Sequence, residues 1–443
     1  MQLSVTNRGI IKLAAPISLA ILIPQLNFLT NTAFLGRLGE RELAVNGLTG
    51  VFYLIMSMIG YGLNSGIQAQ MARRGGEGDD AGLGKTLTNG LMLGVISSMV
   101  LMMLAMWLAP FIFELSLHEQ SHVVSSINYL YIRIWGIPFL LLVQLMNAFY
   151  ISTGRSKFLM YGSLAGTATN IILDYLFIFG KGGLPVMGLN GAALASVIAE
   201  AVYALVMCGI FYFGRMYRQF PVFTTSNFDT ALARRSLNVS APLIVQYLFS
   251  IGGWQVFFIF VEHLGQRELA ASQILRSVFG VVSVVTWAFA STCNTLVSNV
   301  IGQGKQNEVI PVITKIAKLS LLCTAVICVP LLVFPAEFLA LYRDDASLIA
   351  MSLPSLRLIV LATLIMSLST VLFNGVVGTG NTMINLFIEV TCVGIYLVYC
   401  YIFIERARLP LAWAWGSEFV YWTTLFIISF LYLRTGRWKG KTI

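Results

Sequence analysis

Charged residues are scarce in this chain: Asp, Glu, Lys and Arg make up only 11% of its 443 residues, against about 25% in an ordinary soluble domain. Hydrophobic residues make up 57%. The strict alternation of polar and apolar residues found in membrane β-barrels is also missing. Apolar runs of about 20 residues, the length that crosses a bilayer as a helix, recur instead. The composition therefore predicts an all-α polytopic membrane protein.

Histidine and cysteine are also few. The three histidines, His118, His122 and His263, fall in predicted loops, which excludes histidine as a proton carrier inside the membrane. The six cysteines lie in apolar runs without a CxxC spacing, so we expect them to pack between helices rather than bind metal. We expect no metal site and no cofactor. With no histidine in a span and no GxSxG on a strand-turn-helix, an enzyme is the weakest of the functional classes.

The chain repeats itself at an offset of 226 residues. Leu38-Gly39-Glu40-Arg41-Glu42-Leu43-Ala44 returns as Leu264-Gly265-Gln266-Arg267-Glu268-Leu269-Ala270, and Pro16 falls on Pro242 at the same offset. An internal repeat in an apolar chain is typical of transporters that consist of two related halves, with the binding site near their interface. The repeat therefore predicts a duplicated transporter.

Apolar runs mark twelve spans, six in each copy. They fall at roughly 10–34, 46–70, 86–113, 128–152, 158–179, 188–213, 236–260, 272–298, 313–340, 351–377, 383–404 and 411–433. We predict two six-helix bundles, 1–213 and 236–443, joined by a polar cytoplasmic linker at 214–235. Because each copy has an even number of spans, both enter the membrane from the same side. The repeat is then parallel, and a pseudo-twofold axis along the membrane normal relates the bundles.

Lysine and arginine are unevenly distributed between the two sets of loops. Eighteen lie at the termini or in even-numbered loops and seven in odd-numbered loops. Positively charged loops stay in the cytoplasm, so we expect both termini there, in a multi-pass protein of the plasma (inner) membrane. The apolar run after the N-terminus is long and lacks a small-residue cleavage site, so no cleaved signal peptide is expected.

Four acidic residues lie inside predicted spans, where an ionised side chain costs about 2.5–3.5 kcal/mol. They are Asp174, Glu200, Glu389 and Glu418. Asn170 precedes Asp174 by one helical turn and Ser196 precedes Glu200 by one turn, which places each pair on one helix face. We predict that Asp174 and Glu200 share a dry pocket that binds a coupling ion; the alternative is that neighbouring hydroxyls and amides fix the carboxylates structurally. Glu389 and Glu418 are weaker candidates for the same role, because they stand near span ends, close enough to reach lipid headgroups.

Polar and aromatic residues in other spans are candidates for the lining of a substrate cavity. This set comprises Gln25, Asn27, Gln246, Trp254, Gln255, Trp287 and Asn294. Pro16 and Pro242 lack the N–H of an unbroken helix, and we predict that they act as hinges, with a static kink as the alternative. Arg133 and Arg357 open spans four and ten and are expected to snorkel or pair at the outer interface, in a structural role.

The chain resembles the multidrug and toxic compound extrusion (MATE) family and, within it, the prokaryotic DinF-like branch. The resemblance rests on an ordered set of features: Pro16, Pro242, the two Leu-Gly-x-Arg-Glu-Leu-Ala turns, Gly302-Gln303-Gly304, Thr153-Gly154-Arg155-Ser156, Asn170-x-x-x-Asp174 and Ala195-Ser196-Val197-Ile198-Ala199-Glu200. It implies an antiporter of two bundles in a V, which exports amphipathic, often cationic compounds while protons or sodium ions enter. The implied coupling residues are Asn170 and Asp174, with Ser196 as a further member.

One position departs from that branch. Asn31 stands where the branch usually has an aspartate in the first span, and asparagine does not release a proton near neutral pH. The resemblance therefore implies that Asp174 and Glu200 carry the coupling, with Asn31 as a neutral hydrogen-bonding partner. We expect a monomer whose partners are a small-molecule substrate and membrane lipid, with no nucleic acid.

Two alternatives remain open beside the antiporter. The first is a flippase for lipids or lipid-linked sugars. Such a flippase usually requires a strongly basic cavity, whereas the spans contain few Lys or Arg. The second is an uncoupled sensor or binding protein derived from a transporter, which the asparagine at position 31 keeps open. The substrate and the choice between proton and sodium ion are not determined by the sequence.

Overall fold

The computed structural model describes residues 2–116, 119–223, 229–340 and 345–441, and these residues contain no β-strand. Twelve of the helices are long and apolar enough to cross a membrane, which confirms the predicted number. We number them in chain order: α1 (Asn7–Gly36), α2 (Glu40–Glu77), α3 (Asp80–Ser116), α4 (Gln120–Ser152), α5 (Lys157–Phe179), α6 (Gly188–Phe213), α7 (Thr230–Leu264), α8 (Gln266–Gly302), α9 (Val309–Val333), α10 (Ala346–Thr379), α11 (Thr382–Cys400) and α12 (Leu411–Arg434).

Most helices extend beyond the apolar runs. The repeated stretch at 38–44 was predicted to be a turn, but α2 begins at Glu40 and α8 begins at Gln266. The first connection shrinks to residues 37–39 and the second to Gly265 alone. The φ angles of Gly39 and Gly265, 157° and 154°, suit a residue without a Cβ atom. The charged residues of the repeat therefore form first helical turns, since these ends need not lie in hydrocarbon.

The glycines Gly76 and Gly302 lie in the last turns of α2 and α8. A Cβ atom on Gly76 would overlap the carbonyl oxygen of Asn299, and one on Gly302 would overlap the carbonyl oxygen of Arg73. Asn299 is the repeat equivalent of Arg73. Each half therefore presents the same glycine to the same position of the other half, as a parallel twofold repeat requires.

The two halves meet at the end of the molecule that carries both termini. Arg73, which is only 5% exposed, donates from its guanidinium to the carbonyl oxygens of Gly378 and Thr379 at 3.2 and 3.1 Å. Farther along α2, away from that end, the rings of Tyr61 and Tyr247 face each other across the halves with centroids 6.4 Å apart. Tyr61 is 46% exposed, so this aromatic pair marks where the contact between the halves gives way to accessible surface.

The linker is shorter than the polar stretch at 214–235. The α7 helix begins at Thr230, and the Asp229 side chain caps it by accepting a hydrogen bond from the Leu232 amide. A short helix, Met216–Gln219, follows α6, and residues 224–228 lie outside the described part. The helix starts before the apolar run does because a capped polar first turn is stable in water. The exact domain boundaries stay a prediction.

Candidate functional site

The α1 and α5 helices run parallel and side by side in a fixed register. Three hydrogen bonds, each between residues 143 positions apart, join them at intervals of two helical turns: Ser156 to Leu13 at 2.9 Å, Ser163 to Ala20 at 3.0 Å, and Asn27 to Asn170 at 2.5 Å. Asn31 and Asp174 are also 143 positions apart and continue this register one turn farther on. They therefore lie at the same level on the facing sides of α1 and α5.

Buried polar atoms without partners collect at this level. Asp174 has 0% exposure, and neither of its carboxylate oxygens has a hydrogen-bond partner in the described part of the chain. The Oδ1 atoms of Asn27 and Asn31 and the Nδ2 atom of Asn170 share that condition. Leaving such groups unsatisfied costs about 1–3 kcal/mol each. The four oxygens are acceptors only, so the arrangement suits a ligand that supplies a proton or a positive charge.

Glu200 already has an ion-pair partner. The Arg133 guanidinium donates to both of its oxygens, at 2.6 and 2.8 Å, and the Tyr53 hydroxyl donates to Oε2 at 2.9 Å. The guanidinium also lies over the Tyr53 ring, 3.7 Å from its centroid. Glu200 is therefore not a second uncompensated carboxylate beside Asp174, because an arginine already balances its charge; its part in ion coupling stays a prediction.

Arg133 occupies a different place from the one predicted. It lies 13 residues into α4, at the last residue before a 3-10 turn, Ile134–Gly136, and does not open the span. A Cβ atom on Gly136 would overlap Glu200 and crowd Arg133, so this turn makes room for the ion pair. Arg133 also lies close enough to Asp174 to attract its carboxylate. Sequence reasoning singled out Arg133 but did not pair it with Glu200, and it missed Tyr53 and Gly136; the signal was an arginine and a glutamate buried in spans of one half.

Ser196 is buried on α6, one turn before Glu200. Since Glu200 is turned to Arg133, the i, i+4 spacing by itself does not bring Ser196 to Asp174. Its role as an ion ligand stays a prediction.

The two acids of the C-terminal half do not reach headgroups. Glu389 and Glu418 are only 1% and 4% exposed. Glu389 accepts hydrogen bonds from the Ser250 hydroxyl and, at 2.8 Å, from the Tyr421 hydroxyl, while Glu418 accepts one from the Trp422 indole at 2.9 Å. The prediction failed because nearness to a span end does not fix which way a helix face turns.

The residues proposed to line a cavity separate into two groups. Gln246 accepts a hydrogen bond from Asn385 at 2.6 Å, and Asn294 donates to the Ser65 carbonyl at 3.3 Å; both are buried and join helices, which corrects their assignment to the cavity. The others keep some exposure: Trp287 is 41% exposed, Gln25, Asn27, Gln255 and Trp254 are half-buried, and Trp254 lies beneath the Arg276 guanidinium at 5.0 Å.

A stretch with the spacing of a zinc-protease motif, HExxH, occurs at 118–122, between α3 and α4. That motif binds zinc when both histidines share one helix face. Here Glu119 has an extended backbone and the helix begins at Gln120, so the motif is not presented from a single helix. His118 lies outside the described residues. His122 and His263, predicted to be in loops, belong to α4 and α7.

Twelve apolar helices in two parallel repeats, with acidic residues buried among them, have the architecture of membrane transporters built from internal repeats. The MatE family model matches the chain twice, over residues 16–176 and 242–402. The chain therefore belongs to the MatE family, and it is a multi-pass membrane transporter rather than an enzyme. The two matched segments lie at the same 226-residue offset as the repeated turns.

Similar proteins agree with this assignment. A probable multidrug resistance protein NorM of Photorhabdus laumondii is 26% identical over 322 residues, which cover 72% of this chain and 70% of that protein. A second, from Thermotoga maritima, is 22% identical and covers 99% of this chain and 94% of the relative. A solved structure described as an outward-facing conformation of a multidrug resistance MATE family transporter superposes with a TM-score of 0.89 at 18% identity, covering 98% and 96% of the two chains. The DinF-like branch stays a prediction.

Proposed function

We propose that this protein is a cation-coupled antiporter that exports small amphipathic, cationic compounds, and that Asp174 binds the coupling ion. The observation that carries the proposal is the buried Asp174 carboxylate, which has no hydrogen-bond partner in the described chain and faces the amides of Asn27, Asn31 and Asn170. A carboxylate in such a place needs a counter-charge.

We favour a sodium ion over a proton. A proton would turn Asp174 into a single O–H donor, which can satisfy at most one of the Oδ1 atoms of Asn27 and Asn31, whereas a metal cation can accept all of these oxygens as ligands. Arg133 attracts ionised Asp174 when the cation leaves, so it limits the cost of the empty site. The resemblance leaves both ions open, and the experiment below distinguishes them.

The α1 helix connects this ion site to the contact between the halves. Its far end carries Asn27 and Asn31, while residues just before its start contact the other half: the Leu3 amide donates to Asn299 at 3.0 Å, and Lys315 donates to the Val5 carbonyl at 3.2 Å. Ion binding that shifts α1 against α5 would thus act on the end of the molecule where the two halves meet. Since a ligand moves an equilibrium only through different affinity for the two states, the register of α1 and α5 must differ between them.

The substrate class is supported by the aromatic pair between the halves. Tyr61 and Tyr247 offer two partly accessible rings where the contact between the halves ends, and aromatic faces attract organic cations. The names of the NorM relatives describe multidrug resistance proteins, which accords with a broad, apolar substrate class. We further propose a monomer in the plasma membrane with both termini in the cytoplasm, on the basis of the loop charges.

The test is dye transport in proteoliposomes. We expect movement of a fluorescent organic cation when a sodium gradient is imposed and little movement with a proton gradient alone. Asp174→Asn should abolish the gradient dependence. Asp229→Asn is the matched control, because it makes the same chemical change at a helix cap outside the membrane, and it should transport normally near neutral pH. Dye movement driven equally in native and Asp174→Asn protein would overturn the proposal; a proton-driven native protein would overturn only the choice of ion.

A further inference from the structure

We propose a second cation-binding site in the C-terminal half, centred on Glu389 of α11, with Asn385, Gln246, Ser250 and Tyr421 around it. It would bind a monovalent cation, either a proton or a sodium ion. The internal repeat does not point to this site, because Glu389 is not the repeat equivalent of Asp174.

The α7 and α11 helices run parallel, as α1 and α5 do, and two hydrogen bonds at a constant spacing of 139 residues join them. The first links Asn385 to Gln246 at 2.6 Å, and the second, one helical turn farther along both helices, links Ser250 to Glu389. The parallel pair thus presents an amide–amide hydrogen bond followed, one turn on, by an acid that faces a polar residue.

The N-terminal half has the same arrangement on the equivalent helices. There, an amide–amide bond between Asn27 and Asn170 is followed one turn on by Asn31 and Asp174. The depth differs: the repeat equivalent of Asn170 is Tyr396, so Asn385 lies 11 residues nearer the terminal end, about 16 Å at 1.5 Å per residue. The two halves therefore hold one arrangement at two depths.

The C-terminal site is suited to a cation and not only to structural hydrogen bonding. Both donors to Glu389, the Ser250 and Tyr421 hydroxyls, fall on Oε1, which leaves Oε2 for another ligand. The Oδ1 atom of Asn385, a residue with 0% exposure, has no hydrogen-bond partner in the described chain. No Lys, Arg or His of the described residues forms an ion pair with Glu389, so unlike Glu200 it has no resident counter-charge.

Glu418 offers a contrast on the neighbouring helix. It is also buried, but its hydrogen-bond donors are two indoles, that of Trp422 on its own helix at 2.9 Å and that of Trp254 on α7, and the residue one turn before it is Ala414 rather than an amide. We therefore assign the site to Glu389, and Glu418 serves as a matched buried carboxyl group in the test.

The experiment is labelling by dicyclohexylcarbodiimide, which modifies protonated carboxyl groups in apolar surroundings, followed by peptide mass spectrometry. It uses the full-length protein in lipid nanodiscs and carries Asp174→Asn, so that the result does not depend on the proposed N-terminal site or on transport. We expect Glu389 to be modified at mildly acidic pH and severalfold less at mildly alkaline pH. If the site takes sodium, adding sodium chloride at fixed pH should also suppress labelling relative to N-methylglucamine chloride.

Two variants separate a cation site from a merely buried acid. Gln246→Leu with Asn385→Leu should weaken sodium protection at Glu389 and leave the labelling of Glu418 unchanged; Ser250→Ala, which keeps the amide pair, should retain some protection. Labelling of Glu389 that depends on pH but never on sodium would identify a proton site. Labelling that responds to neither, or that responds in the same way at Glu418, would overturn the proposal.

Discussion

Gln68 and Asn294, which stand 226 residues apart, make equivalent hydrogen bonds across the contact between the halves. The Gln68 amide donates to the Ser291 carbonyl at 3.2 Å, and the Asn294 amide donates to the Ser65 carbonyl at 3.3 Å. Ser291 is the repeat equivalent of Ser65. The α2–α8 contact is thus self-complementary, like the twofold interface of a dimer, and the repeat in the sequence has become a pseudo-twofold axis in the fold.

The glycines of this contact predict a paired effect. Gly76→Ala and Gly302→Ala should each weaken the contact between the two halves, because the new methyl group meets backbone atoms that do not move aside. Gly280→Ala is the control in α8, since its Cβ would meet open space. We expect the first two to lower the thermal midpoint in detergent by a similar amount, and Gly280→Ala to maintain or raise it. Equal behaviour of all three would show that the close approach is not constraining.

The ion pair of Arg133 and Glu200 predicts a strong coupling between the two residues. Glu200→Met leaves the guanidinium without a counter-charge and should destabilise the protein by about 3 kcal/mol, the lower end for breaking a buried pair, because the side chains are 13% and 18% exposed.

The double variant Arg133→Met with Glu200→Met should recover most of that loss, since no buried charge remains. A double-mutant cycle of unfolding in detergent measures the coupling. Additive losses from the two single changes would contradict a direct interaction.

Pro16 predicts a kinetic effect on transport. Pro16→Ala supplies the N–H that α1 lacks at this position, so the helix should bend less readily. We expect slower dye efflux with unchanged binding of the dye, measured by stopped-flow and equilibrium titration. Pro330→Ala, which removes a proline inside α9, is the comparison and should leave the rate near that of the native protein. A faster Pro16→Ala variant would count against the hinge.

Asp229 predicts a pH effect at the start of α7. The Lys85 ammonium, 2.5 Å away, and the Leu232 amide hold the pKa of the Asp229 carboxyl below its usual value. Because the folded-state pKa is lower than the value of about 3.9 in the unfolded chain, the stabilisation is present above that pH and is lost as the pH falls through the folded-state pKa.

The native protein should therefore melt higher than Asp229→Asn at neutral pH, and the difference should vanish in strong acid. Thermal midpoints measured from neutral to acidic pH check this. A difference that does not change with pH would mean that the cap, and not the charge, is responsible.

Much of the architecture follows from the sequence alone. The number of spans and the duplication are written in local composition and in a repeated pattern, because a bilayer requires about 20 apolar residues per helix whatever the neighbouring helices are. The register of Asn170 and Asp174 on one helix face follows from the helical period in the same way.

The partners of the buried charges were decided by tertiary structure. Arg133 and Glu200 are 67 residues apart, and only the packing of α4 on α6, with a glycine turn between, brings them together. Glu389 is buried although it lies near a span end, and Gly76 and Gly302 lie in the contact between α2 and α8. A helical period fixes which residues share a face, but the rotation of each helix about its axis is set by all its neighbours, and that rotation decides which acid meets an arginine and which is left for a cation.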